Sequence, residues 1–125
     1  MPQLDAIGIV CSDVIRTRAF YGLLGVEFPE GDDHIEATLP SGLRLMLDTE
    51  DVIRSFNPEW TRATGNQVAL AFACGSPAEV DGLYEQVVKA GFQGEKEPWD
   101  AFWGQHYAQL RDPNGVGVDL YASLE

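Results

Sequence analysis

Three large rings fall close together in the stretch Glu97-Pro-Trp-Asp-Ala-Phe-Trp-Gly-Gln105: Trp99, Phe102 and Trp103. A flat ring stacks on an aromatic or cationic molecule, and an indole N–H fixes its orientation. Trp103 is the leading contact of this kind; the competing reading is a tryptophan that plugs an open end of the fold. Asp119 lies in the apolar run Val116-Gly-Val-Asp-Leu-Tyr121. A buried charge needs a partner, so Asp119 either touches a ligand or is satisfied by a neighbour such as Arg44. Gln67 both donates and accepts, which suits an amide or hydroxyl. Tyr107, Gln109 and Tyr121 offer further polar contacts, and Asp48 is a peripheral carboxylate. Trp60 and Phe56 read equally well as ligand contacts and as residues of an interface or local apolar cluster.

Other chemistries find less support. His34 lies among loop acids and His106 reads as a structural or surface residue, although Asp119 with His106 or Tyr107 is the first acid–base pair an enzyme would use here. Cys11 and Cys74 end apolar strands and read as small buried hydrophobes; two thiols do not make a metal cage. No serine–histidine–acid order and no phosphate-cradling glycine loop is present, and Gly22, Gly25 and Gly42 punctuate elements. Asp112-Pro-Asn-Gly115 is a turn rather than a catalytic group.

The net charge of −12 repels nucleic acid and anionic membranes and gives a general bias toward cationic ligands, besides its ordinary effect on solubility. No apolar run approaches the roughly 18–20 residues that span a bilayer. The N-terminus lacks the basic segment of a secretory signal, so the expectation is a cytoplasmic protein with no nucleic-acid or membrane partner.

These residues are positioned by two similar halves. At 125 residues the chain suits a single domain, 1–125, with internal modules at about 5–50 and 66–122. In the first, Ala6–Cys11 is a strand, Ser12 or Asp13 caps a helix whose stripe is Val14, Ala19, Phe20 and Leu23, and Gly25 stops it. Strands are then expected from Val26-Glu27-Phe28, over Ile35–Leu39 and over Leu43–Leu47. Residues 49–66 form a linker. The second half repeats the order: a strand over Gln67–Phe72, then a helix from Ser76-Pro77, with Glu79 completing a capping box. That helix carries a Val80, Leu83, Val87, Val88 stripe, and strands follow from Phe92, over His106–Leu110 and over Val116–Tyr121. Two similar halves can enclose a shared cleft, and clefts bind small molecules.

The segments Ala6-Ile-Gly-Ile-Val-Cys-Ser-Asp13, Ala19-Phe-Tyr-Gly-Leu-Leu-Gly-Val-Glu27 and Arg111-Asp-Pro-Asn-Gly-Val-Gly-Val-Asp-Leu-Tyr121, with the repeated βαβββ order, resemble the vicinal oxygen chelate superfamily of glyoxalases, extradiol dioxygenases and bleomycin-resistance proteins. The resemblance implies an α+β fold in which paired βαβββ modules form a U-shaped half-barrel sheet with the helices outside, and a homodimer. Strand alternation then puts Asp119 and Tyr121 toward the cleft with Arg44, Met46, Gln67, Ala69 and Ala71, while Val118, Leu120, Val68, Leu70 and Phe72 pack.

Metal-dependent relatives carry four ligand positions, matched here by Ala6, Met46, Gln67 and Asp119. Ala6 has no donor atom and Met46 offers a soft thioether, a poor ligand for the divalent ions of this family. The expectation is therefore no metal, no cofactor and no catalytic residue, closest in character to the metal-free bleomycin-resistance-like proteins. The stretch from Glu97 to Gln105 is similar to the tryptophan-and-glycine segment of those proteins. The expected function is binding of a small cationic or aromatic molecule, such as a sequestered antibiotic. Its contacts would come from Trp103, Asp119, Gln67, Met46, Arg44, Trp60, Phe56, Tyr107 and Tyr121. The alternative is a lyase, isomerase or dioxygenase-type enzyme with an atypical site.

Overall fold

A computed structural model describes residues 1–65 and 67–125. Asn66, where the linker was expected to meet the second module, lies outside the described residues. The chain divides into two compact units, Met1–Ala63 and Thr64–Glu125.

In the first unit, strand β1 (Ala6–Cys11) runs into helix α1 (Val14–Leu23), followed by β2 (His34–Thr38), β3 (Arg44–Thr49) and helix α2 (Glu50–Phe56). The sheet order is β1-β3-β2, with β1 parallel and β2 antiparallel to β3. Of the two expected caps, Asp13 starts α1: its carboxylate accepts from the Arg16 N–H at 3.0 Å. The buried face of α1 is Val14, Thr17, Phe20 and Tyr21. Ala19, expected in that stripe, is exposed, and Thr17 is buried because its hydroxyl donates to the Asp13 carbonyl at 2.8 Å. Gly25, at φ +88°, turns the chain where a side chain would be strained.

Val26-Glu27-Phe28 is not a strand. Val26 and Phe28 are buried, with the Phe28 ring 6.5 Å from Tyr21, and the Phe28 carbonyl accepts from Arg18 rather than from a neighbouring strand. The first sheet therefore has three strands instead of four. Part of the expected linker is also ordered as α2. Thr49 caps it by accepting from the Val52 N–H at 3.2 Å, and Glu50 and Asp51 in its first turn with Arg54 in its last suit the helix dipole.

The second unit contains β4 (Ala69–Ala73), α3 (Pro77–Lys89), β5 (Gln93–Asp100), β6 (Gln105–Arg111) and β7 (Gly117–Ser123). Its sheet order is β4-β7-β6-β5, with β4 parallel to β7 and the other pairs antiparallel. Ser76 caps α3 by accepting from the Glu79 N–H at 3.2 Å, and the Glu79 carboxylate reaches back to the Gly75 N–H at 2.9 Å. Val80 and Val87 are buried, whereas Val88 is exposed. Val68, expected to pack, precedes β4 and is 67% exposed. Behind the sheet, Val118, Leu120, Ala122, Ala108 and Leu110 make the core, each nearly or wholly removed from solvent. Burying a valine- or leucine-sized side chain contributes about 1.5–3 kcal/mol, so this cluster holds α3 to the sheet.

The expected U-shaped half-barrel is not formed. The strands hydrogen-bond into two separate sheets, of three and four strands, each open at both edges and neither closed nor strongly curled. The α+β class and the tandem βαβββ-like order stand. No helix among the described residues is long and apolar enough to cross a membrane.

Candidate functional site

Alternation along β6 and β7 sorts the second unit's sheet into two faces. His106 reaches Asp81 of α3, so it marks the helix side. Tyr107 and Gln109 project to the other side, where Tyr107 stands opposite Tyr121 and Gln109 opposite Asp119 in the strand register. Ala71 and Ala73 of β4 pair with Asp119 and Tyr121, so small side chains border the charged group on that flank.

The aromatic residues converge on this open face. Trp99 stands opposite Tyr107, with ring centroids 5.6 Å apart. Trp103 packs edge-on against Tyr107 at 5.3 Å and Trp99 at 6.0 Å, and Phe102 against Trp103 at 5.0 Å. Tyr107 and Tyr121 stack at 6.2 Å with 24° between their planes. The tight turn carrying Phe102 and Trp103 is made by Gly104 at φ +90°, whose N–H donates to the Ala101 carbonyl at 3.1 Å. Phe102 is 97% exposed and Trp103 48%, so the cluster is an open shelf rather than a sealed core. The Trp103 indole N–H donates to Gln105 Oε1 at 2.8 Å. The Lys96 ammonium sits 4.6 Å from the Trp99 ring centre, a cation already held on an aromatic face.

Beneath the shelf, Asp119 is only 8% exposed. Its Oδ2 accepts from the Tyr107 hydroxyl at 2.5 Å and its Oδ1 from Gln109 Nε2 at 3.4 Å. A carboxylate offers roughly four lone-pair sites, so these two donors leave acceptor capacity. Burial, joined by the bond to Asp119, pushes the Tyr107 hydroxyl up to about 12. Tyr107 is therefore a neutral donor at physiological pH.

The structure thus brings together Trp103, Asp119, Tyr107, Gln109 and Tyr121, with Trp99 and Phe102 of the same aromatic segment. The remaining expected contacts lie elsewhere. Gln67 is exposed ahead of β4. In the first unit, Arg44 pairs with Asp5 at 2.8 Å and Glu36 at 2.9 Å, and Met46 packs its terminal methyl near Gly8. Trp60 lies between two guanidinium groups, Arg54 at 5.2 Å and Arg62 at 5.4 Å, while Arg62 also pairs with Glu50 at 2.7 Å. Phe56 ends α2, exposed. His34 is held by Asp48 and Glu36, and His106 by Asp81 and Asp100. The His34–Asp48 contact is set by the β2–β3 register, and the His106 contacts by the β5–β6 register and by where α3 lies, so neither was legible in the local sequence. Cys11 is buried, and Cys74 half-buried with its thiol raised by burial.

The sequence profile of the Glyoxalase/Bleomycin resistance protein/Dioxygenase superfamily matches residues 3–120. The chain belongs to that superfamily. Solved glyoxalase-superfamily structures agree in fold. A glyoxalase/bleomycin resistance protein/dioxygenase from Nocardioides is 24% identical, with 100% of this chain and 85% of that one covered, at a TM-score of 0.78. A glyoxalase/bleomycin resistance protein/dioxygenase family enzyme from Burkholderia phytofirmans is 17% identical, with 98% and 100% covered, at 0.86. A glyoxalase-related enzyme from Fulvimarina pelagi is 20% identical, with 98% and 89% covered, at 0.84. Comparison with curated proteins gave no match.

Metal chemistry in this superfamily needs a firmly held ligand set. Here Ala6 and Met46 bring no hard donor, which leaves at most two oxygen donors, from Gln67 and Asp119, at the four matched positions. Among the described residues, no group of three or more His, Cys, Asp or Glu side chains is placed to hold an ion. These residues do not fit the superfamily's metal.

Proposed function

We propose that this glyoxalase-superfamily chain is a non-enzymatic, metal-free binding protein of the bleomycin-resistance kind. Its ligand is a small planar molecule with a positive charge or a strong hydrogen-bond donor, and sequestration of an antibiotic or another aromatic metabolite is the role that follows. One observation carries the reading: a nearly buried carboxylate, Asp119, lies at the foot of an exposed aromatic shelf built from Trp99, Phe102, Trp103, Tyr107 and Tyr121. The rings supply apolar area and stacking, and Asp119 supplies charge and orientation.

The acid–base alternative loses support from the same geometry. His106 projects to the helix side with both ring nitrogens engaged, away from Asp119, and Tyr107 holds its proton up to about 12. The reading also takes the chain as a homodimer, and a mass in solution showing only monomer would overturn that part.

The test uses N-methylquinolinium and its neutral counterpart quinoline at pH 7.5, followed by backbone and indole chemical shifts. The expected result is saturable binding of the cation at Trp103, Tyr107 and Asp119, with quinoline weaker. Stoichiometric, tightly bound transition metal in protein purified without a metal-affinity tag, together with metal-dependent turnover, would overturn it.

A further inference from the structure

His106 joins two elements that it does not belong to. Its Nε2 lies 2.7 Å from Asp81 Oδ1 on α3, and its Nδ1 lies 2.7 Å from Asp100 Oδ1 at the end of β5. Asp100 is the last residue before the turn that carries Phe102 and Trp103, and His106 is the strand neighbour of Tyr107. The imidazole is 13% exposed, although both carboxylates reach solvent.

Only the imidazolium can serve both partners. It donates one N–H to each carboxylate, whereas a neutral ring has one N–H and turns a lone pair toward the other carboxylate. Glu97 of β5 acts on Tyr84 of α3, while the carboxylates in contact with His106 among the described residues are those of Asp81 and Asp100. Directly across on β7 stands Ala122; farther along α3, Glu85 pairs with Lys89 at 2.8 Å and Tyr84 lies over Gly94 of β5. Asp81 and Asp100 are the groups that act on His106 electrostatically.

We propose that His106 is a proton-operated fastener, which in its charged form ties the end of β5 to α3 and so steadies the Phe102–Trp103 turn, and which on losing its proton releases one carboxylate and loosens that turn. As regulation of the aromatic shelf the inference rests on the binding reading; as a conformational device it does not. The hydrogen bonds to Asp81 and then Asp100 raise the His106 pKa above its ordinary value. For a raised histidine, the stabilisation is complete below the unfolded value of about 6.5 and is lost as pH rises through the folded one. With Asp81 and Asp100 ionised, the turn is therefore held below about pH 6.5 and loosens as pH rises through the raised His106 value.

The deciding experiment is a ligand-free NMR titration of the His106 ring together with the Phe102 amide and the Trp103 indole N–H. A His106 midpoint above the ordinary histidine value is expected, with both reporters shifting at the same midpoint. Asp81→Asn should lower that midpoint, and His106→Gln should remove the transition from Trp103. Should His106→Gln fail to fold, Asp81→Asn alone decides, since Asp81 is largely solvent-exposed on α3. A midpoint at or below about 6.5, or a Trp103 signal indifferent to His106 titration, overturns the proposal. Failure of N-methylquinolinium to bind would overturn the binding reading alone, because this titration contains no ligand.

Discussion

The Tyr107 hydroxyl and the Asp119 carboxylate meet diagonally across β6 and β7, 2.5 Å apart. Each explains the other's burial. The phenol satisfies a carboxylate that would otherwise be costly to remove from water, and the carboxylate gives a half-buried hydroxyl its acceptor.

Substitutions on the two sides of this pair should separate its contribution to stability from its contribution to binding. Tyr107→Phe leaves Asp119 with Gln109 as its remaining donor, at a cost of about 1–3 kcal/mol. Asp119→Asn preserves shape and an acceptor but removes the charge, so it should fold nearly as well while weakening N-methylquinolinium about tenfold or more. Urea denaturation and the probe titration measure the two effects separately. Equal affinity in Asp119→Asn would remove the carboxylate from the binding reading.

Tyr107 should also limit alkaline stability. Its folded pKa of about 12 exceeds the ordinary tyrosine value of about 10. The contribution is complete below about pH 10 and is lost as pH rises toward about 12. Ultraviolet titration of tyrosinate should show one late-ionising residue in the folded protein, absent from Tyr107→Phe.

In the first unit, His34 sits between Asp48 at 2.5 Å and Glu36 at 2.9 Å, and these bonds raise its pKa, Asp48 foremost. Stabilisation is again present below about 6.5 and lost as pH rises through the raised value. His34→Gln should flatten that part of the pH–stability curve. Because the ring is substantially exposed, the effect should shrink with added salt.

Packing between α3 and β5 leaves no room at Gly94. A Cβ there would lie 2.3 Å from the Tyr84 hydroxyl oxygen and 3.2 Å from a Val88 methyl carbon. Gly94→Ala should cost about 1–3 kcal/mol in thermal or urea unfolding, and Tyr84→Ala in the same chain should recover part of it. In the first unit, Leu47→Ala, at a fully buried site, should cost about 2–5 kcal/mol.

Local chemistry was legible wherever a few neighbouring residues decide the outcome. Ser76 and Glu79 cap α3, and Asp112 accepts from the Asn114 and Val116 N–H groups at 2.7 and 2.9 Å in the turn its composition called for. In β7, two-residue alternation separated Val118 and Leu120 from the Asp119 face, because successive side chains of a strand point to opposite sides. Val26 and Phe28 carry the pattern of a strand, but burial against Tyr21 gives them a different use. The α2 segment is short and weakly patterned, so its end caps rather than its periodicity identify it.

The superfamily, the tandem order, the aromatic segment and the face of β7 that carries Asp119 were all readable from residue types and their spacing. That Asp119 is answered by Tyr107 and Gln109, that Arg44 serves Asp5 and Glu36, and that His106 spans α3 and β5 follow from the folded arrangement. The strands likewise form two open sheets where family resemblance implied a curled one. Alternation fixes which way a side chain points and is set by each strand alone. A partner across strands is set by register, which sums burial and hydrogen bonding over the whole unit and leaves no trace in any short window of residues.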